Sequence, residues 1–252
     1  MSIGVIRENI TIVLHRPKYQ GNIGSAARAA MNMGFHNIYV TKREEPDMEE
    51  IRRMATHLAG GNVEKIRFFD GLDEALADFQ YIVGTTSRIG KARQVQADPR
   101  GMACDLIGLS QKNKVAVLFG PEDFGLANDE LKLCHALVEI PTAGELKSLN
   151  LSHAVMVICY ELFLARSAAS PKFTPKLARQ SELEGMYGQL QELFLKIHFI
   201  QHQNPEYWML NVRRFLSRIK LYSREVRLIR GLCRQLDWYV RTKDLTTPPQ
   251  TD

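Results

Sequence analysis

Cysteine is scarce in this 252-residue chain, and the four present, Cys104, Cys134, Cys159 and Cys233, form no CxxC pair. That spacing excludes a zinc ribbon, a dithiol redox motif and a disulfide-built scaffold, and it fits a reducing compartment. Long apolar runs are also lacking. The longest, residues 154–159, continues past Glu161 as an amphipathic helix and falls far short of the roughly 20 residues that span a bilayer. At the N-terminus Arg7 and Glu8 interrupt the apolar residues and no small-residue cleavage site follows, so no secretory signal is read there. The expectation is a soluble cytoplasmic protein. The dinucleotide fingerprint GxGxxG is missing, and the His198/His202 pair has Phe199 where a zinc protease needs Glu. No metal is expected.

Hydrophobic residues make up 45% of the chain, enough to bury one full domain and a smaller one. The net charge of +5 is unevenly placed. Residues 171–252 hold 14 Lys/Arg against 8 Asp/Glu, whereas residues 1–170 hold 19 against 20. A polyanionic partner would therefore find its footing in the last third.

Residues 1–166 alternate short β-rich runs with amphipathic stretches. The runs are ITIVLH (10–15), NIYVT (37–41), KIRFF (65–69), YIVGT (81–85), VAVLFG (115–120) and ALVEI (136–140). Helical periodicity falls at 23–33, 49–58, 72–79, 127–134 and 149–166. Near-continuous apolar strands separated by helices predict an α/β domain with a parallel sheet covered on both faces. Such sheets bind ligands at the carboxyl ends of their strands. A polar, Pro-containing linker, 167–176, leads to a small all-helical domain, 177–252. Its expected landmarks are a capping box of Ser181 with Glu184, a helix start at Asn204-Pro205, and Ser223 capping a third helix. Trp208 and Trp238 are expected as packing anchors.

Three segments carry candidate chemistry. GNIGSAARAAMNMG (21–34) follows the first strand and opens a helix, with Asn22 placed to cap it. Gly21 and Gly24 permit close backbone approach, and Arg28 could reach back toward the helix start. VLFGPEDFGL (117–126) mimics the glycine spacing of a phosphate loop. It lacks the Lys-Ser/Thr, however, and sets Glu122 and Asp123 where a triphosphate would sit. Nucleotide hydrolysis is thereby excluded, and a neutral or cationic nucleoside fits better. KSLNLSHAV (147–155) places Ser148, Asn150 and Ser152 at a helix start. Each segment alone also fits a plainer role: a glycine-rich turn, a loop of solvated acids, or a set of helix caps.

Together and in this order, the three resemble the SpoU/TrmH group of SPOUT methyltransferases. The matching positions are Asn22, Gly24 and Arg28; Gly120 and Glu122; and Ser148, Leu149 and Asn150, within about the first 165 residues. The appended helical domain, GLANDELKLCH (125–135) and IRGL (229–232) look like the TrmJ type, from whose usual G-R-E this chain departs at Pro121. The resemblance implies a trefoil-knotted fold, a homodimer, and bound S-adenosylmethionine. It also implies methylation of a ribose 2′-hydroxyl in tRNA, at nucleotide 32 of the anticodon loop. Carried over by position, the cofactor site comprises Thr85, Thr86, Ser87, Gly120, Ile140, Lys147, Ser148 and Leu149. The catalytic set comprises Arg28, Asn22, Glu122, Ser148 and Asn150. Arg28 stands at the family's proposed base. A guanidinium is a poor base, so a bidentate grip on the adjacent phosphate is an equal reading. The alternatives are a related enzyme acting on ribosomal RNA and a non-catalytic RNA-binding protein.

The helical domain adds its own signal. Arg213, Arg214, Arg218, Lys220, Arg224, Arg227, Arg230 and Arg234 fall within 22 residues, opposed only by Glu225. Lys220, Arg224, Arg227 and Arg234 share one face if the helix is continuous. A solvated helix surface normally mixes signs, so RNA-backbone contact is the favoured reading over simple solvation.

Overall fold

The computed structural model describes residues 3–56, 63–87, 98–143, 148–167, 174, 176–201, 203–217 and 219–244. The chain divides into two compact units, Met1–Pro175 and Lys176–Asp252.

The first unit is built on six parallel strands: β1 (Ile10–His15), β2 (Asn37–Thr41), β3 (Arg67–Phe69), β4 (Tyr81–Thr85), β5 (Val115–Phe119) and β6 (Ala136–Val138). Their spatial order is β3-β2-β1-β5-β4-β6. Every residue of β1 and β5 is buried, as the apolar runs require of central strands covered on two sides. The order reverses between β1 and β5, which pair in register from Ile10–Val115 to Leu14–Phe119. Open parallel sheets form their ligand crevice at such a reversal.

Among the described residues the α-helices of this unit are α1 (Gln20–Asn32), α2 (Met48–Ala55), α3 (Leu72–Leu76), α4 (Pro99–Leu109), α5 (Asn128–Leu131) and α6 (Leu151–Leu164). Helix α1 packs against both α2 and α6. Leu76 of α3 and Leu131 of α5 join Val13, Ile82, Ala116 and Leu118 of the sheet in one cluster. Strands β3, β5 and β6 are one to two residues shorter than their apolar runs predict. Helix α4 was not foreseen in the sequence. Its start is nonetheless well specified: Asp98 accepts from Gly101 N at 2.7 Å and Pro99 occupies the first turn.

Gly24 is where the early glycines act. A Cβ there would lie 2.1 Å from the Ile51 carbonyl oxygen, so α1 and α2 cross in near backbone contact. Asn22 does not cap α1. The helix begins two residues earlier, after Tyr19, and Asn22 N donates to the Tyr19 carbonyl from inside the first turn.

The second unit packs α7 (Gln180–Lys196) against α8 (Pro205–Ser217) and α9 (Ser223–Asp244). Met186, Leu190, Leu193, Met209, Val226 and Cys233 are part of its core. The expected capping box is displaced. Helix α7 opens after Arg179, whose N–H donates to Glu182 at 2.8 Å, while Glu184 instead binds Arg213. The Ser223 hydroxyl donates to Glu182, so it ties α9 to α7 rather than capping its own helix. Trp208 and Trp238 are not anchors: 46% and 59% of their surface is exposed. Among the described residues no helix is long and apolar enough to cross a membrane.

Substituting Gly24→Ala should cost the first unit about 1–3 kcal/mol, the usual range for forcing a carbon into a filled contact. Urea unfolding followed by circular dichroism measures it. The same substitution at Gly71, where an added Cβ meets nothing within 4 Å, serves as the comparison.

Candidate active site

The carboxyl ends of β4, β5 and β6 surround a cavity of about 530 Å³. Thr85, Thr86 and Ser87 form one wall, residues 119–126 a second, and Ile140, Ser148, Leu149, Leu151 and Ala154 the rest. The volume lies in the range of small-molecule and cofactor sites.

The loop after β5 owes its shape to two glycines. A Cβ on Gly120 would sit 2.4 Å from Gly125 C and Leu126 N, so only glycine lets the loop close on itself. Gly125 has φ +65°, and its N–H donates to Pro121 O at 2.8 Å. The two acids between them are held from the β1 side. Glu122 accepts from Lys18 N and from Asn22 Nδ2, both at 2.7 Å. Asp123 accepts from Lys18 Nζ at 2.9 Å and lies 3.6 Å from the Arg43 guanidinium. The hydrogen bond from Lys18 holds the Asp123 carboxyl below its usual range.

Below the loop, His15 ends β1 almost wholly buried. Its Nδ1 is 2.7 Å from Thr41 Oγ1 and its Nε2 is 2.9 Å from Glu130 Oε1. Glu130 also accepts from Ala127 N at 2.6 Å, so His15 is linked to the end of the glycine loop. A carboxylate only accepts, so Nε2–H donates to Glu130; in the neutral imidazole Nδ1 then accepts from the Thr41 hydroxyl, which itself accepts from Arg16 N. Burial pushes the His15 pKa below its ordinary 6.5, against the opposing pull of Glu130.

The candidate residues fall into groups. Thr85, Thr86, Ser87, Gly120, Ile140, Ser148, Leu149 and Glu122 share the cavity, and Asn22 reaches it through Glu122. Thr86 N donates to Val138 O and the Thr85 hydroxyl to Leu118 O, so these two groups brace β4 rather than face outward. Asn150 is the cap of α6, accepting from Ser152 N at 2.9 Å, and does not line the cavity. Arg28 is exposed on α1 and is not among the lining residues. Lys147 lies outside the described residues. Lys18, Arg43, His15 and Phe124 carry no motif in the sequence, and Asp123 is read there only as an acid that opposes a triphosphate. Their one local signal is that 16–18 and 42–43 directly follow strands.

The basic run of the second unit is split. Arg213 forms a two-pronged pair with Glu184, both contacts 2.6 Å, over the Tyr187 ring. Arg230 donates to Gln189 at 3.0 Å. Lys220, at φ +47°, precedes α9, so the helix is not continuous through it and the expected common face is broken. Arg214, Arg224, Arg227 and Arg234 are exposed, and Arg218 and His202 lie outside the described residues. Among the described residues no group of three or more His, Cys, Asp or Glu could hold a metal ion.

Residues 9–160 match the SpoU rRNA methylase family. The chain belongs to that family. As a SpoU methylase it is a methyltransferase, and residues 181–247 match the C-terminal domain of tRNA methyltransferase TrmJ. It is 34% identical over 238 residues to a tRNA (cytidine/uridine-2′-O-)-methyltransferase TrmJ of Cronobacter sakazakii, spanning 91% of this chain and 96% of that one. The Salmonella typhimurium protein of the same name is 35% identical over 238 residues, 91% of this chain and 97% of its own. TrmJ from Z. mobilis ZM4 superposes with a TM-score of 0.78 at 28% identity, covering 90% of this SpoU methylase and 98% of that chain.

The His15 link has a pH consequence. A lowered folded pKa means that the unfolded chain takes up the proton more readily. The stabilisation is therefore present above about 6.5, the ordinary value, and is lost as pH falls through the folded value. Thermal unfolding midpoints should fall below that pH, and His15→Gln should flatten the dependence relative to wild type.

Proposed function

We propose that this SpoU methylase transfers a methyl group from S-adenosylmethionine to a ribose 2′-hydroxyl of tRNA, at nucleotide 32 of the anticodon loop. The observation that carries the reading is the cavity, which two of the three motif segments line at the strand ends and to which the third is joined by the bond from Asn22 to Glu122. The TrmJ-type helical unit favours tRNA over ribosomal RNA. A cytoplasmic location and the family's trefoil knot belong to the same reading.

The cavity fits the cofactor chemically. Phe119, Leu126 and Ile140 offer apolar surface, and Ser87 and Ser148 offer hydroxyls. The carboxylates of Glu122 and Asp123 suit a sulfonium and oppose a phosphate. When bound, the cofactor supplies a methyl group already activated, so no metal is needed. What remains for the protein is alignment, worth roughly 7–11 kcal/mol in favourable systems; the hydroxyl proton passes to solvent water as the ribose oxygen takes the methyl group. Glu122 fixes the glycine loop to α1, and Ser148 sits at the start of α6 to meet the ribose. Arg28 binds the phosphate next to the target ribose through its two-pronged guanidinium. Since Arg28 does not line its own chain's cavity, the reading includes a homodimer in which the partner's Arg28 serves that site.

Bulk tRNA incubated with labelled cofactor should gain label at one ribose, mapped to nucleotide 32; label on a base, or none, sinks the reading. Calorimetry with the cofactor separates an enzyme from a binder that merely kept the fold. Arg28→Lys keeps the charge and loses the fork, so methyl incorporation should fall at least tenfold, a loss of about 1.4 kcal/mol. For the helical unit, replacing Arg224, Arg227 and Arg234 by Gln should lower the log–log salt slope of tRNA binding by roughly three. Arg213→Ala should instead lower the unfolding midpoint, because that guanidinium already serves Glu184.

A further inference from the structure

Phe124 is the most exposed large hydrophobic residue among those described, at 68%, and it lines the cavity. A single exposed apolar side chain needs no explanation. This one differs because its backbone is fastened on both sides. Glu122 and Asp123 before it are bound by Lys18, Asn22 and Arg43. Gly125 after it is fixed by its bond to Pro121 and by the close contact with Gly120. The ring is thus presented to solvent by a closed turn. Deeper in the same wall, Phe119 and Leu126 are 2% and 8% exposed. The inner wall therefore serves a ligand inside the cavity, and Phe124 stands where a second ligand would arrive from solvent.

Beside it, the Lys18 and Arg43 side chains each remain 40% exposed while sharing the single carboxylate of Asp123. An aromatic face next to solvent-exposed cations is the pairing that single-stranded nucleic acid binds, base on ring and phosphate on cation. We propose that Phe124 is a stacking platform for a nucleobase of the RNA substrate, with Lys18 and Arg43 taking the adjoining phosphate. This rests on the RNA-methylating function proposed above and adds the residue that holds the looped-out base.

The test compares tRNA affinity, by anisotropy, with cofactor affinity, by calorimetry. Phe124→Ala should weaken tRNA binding about tenfold, within the range of one lost base stack, and leave cofactor affinity unchanged. Phe124→Tyr and Phe124→Trp should bind tRNA as wild type does, and Phe124→Leu should resemble Phe124→Ala. An equal loss of cofactor affinity in Phe124→Ala would make the ring part of the cofactor wall. Wild-type binding by Phe124→Leu would show plain apolar contact, and a changed sedimentation coefficient in Phe124→Ala would show that a second copy covers it. Any of these, or unaltered tRNA affinity in Phe124→Ala, overturns the proposal. A wild-type protein that binds tRNA without methylating it would end the enzymatic reading while leaving the stack measurable. One that binds no tRNA ends both.

Discussion

One carboxylate joins the two halves of the crevice. Glu122, carried by the loop after β5, accepts from the main chain at Lys18 and from the Asn22 side chain, both just past β1. Hydrogen bonds to a charged acceptor contribute about 1.5–3 kcal/mol each, and these two connect segments separated by about 100 residues of chain. Strand pairing brings β1 and β5 side by side, but it leaves the loops beyond their ends free to splay. The Glu122 bonds hold them together. The closed turn, the position of Asp123 and the presentation of Phe124 all depend on that tie, and His15 supports its far end through Glu130 and Ala127.

The tie also orders the charges of an acidic loop. Asp123 is neutralised by Lys18 and shared with Arg43, and Glu122 has its two oxygens occupied. The donors to Glu122 are both neutral, so its charge is not cancelled, and it lines the cavity, where a sulfonium benefits from it. The Lys18 and Arg43 side chains, each 40% exposed, are not among the lining residues and stay open to solvent. A phosphate loop distributes charge in the opposite sense, which is why similar glycine spacing yields different chemistry.

The sheet was legible because parallel strands buried on both faces are written as uninterrupted apolar runs, and ITIVLH and VAVLF are such runs. The cavity was legible for a related reason, since ligand sites follow strand ends and the motif segments were found there. Helix α4 was missed because its signal lies in Asp98-Pro99 rather than in apolar periodicity, and Gly101, Cys104 and Gly108 dilute its face. Asn22 read as a cap because asparagine favours that place. Its partner is Glu122, and no local pattern reports a contact made across 100 residues. Asn150 was the reverse case: the plain capping role that local physics favoured is the one its side chain performs. In the second unit, charge density indicated a polyanion surface but could not sort its members. Arg213 and Arg230 are bound to Glu184 and Gln189 on α7, partners visible only once the helices are packed.

That sorting bears on how the two units divide recognition. An arginine held in a two-pronged pair over Tyr187 has little to offer a phosphate, because leaving would strand a half-buried carboxylate. Arg224, Arg227 and Arg234 have no such tie among the described contacts and remain exposed. Charge of that kind attracts any nucleic acid and reads no particular base. Selection of one nucleotide must then come from shape and stacking near the chemistry, where a base can be drawn out of its loop. On the proposed reading Phe124, the exposed aromatic side chain among the lining residues, makes that selection, and attraction and selection fall to different units of the chain. On the same reading, a change in the number of exposed arginines alters affinity alone, whereas a shift of the closed turn at Gly120–Gly125 moves the base relative to the methyl group.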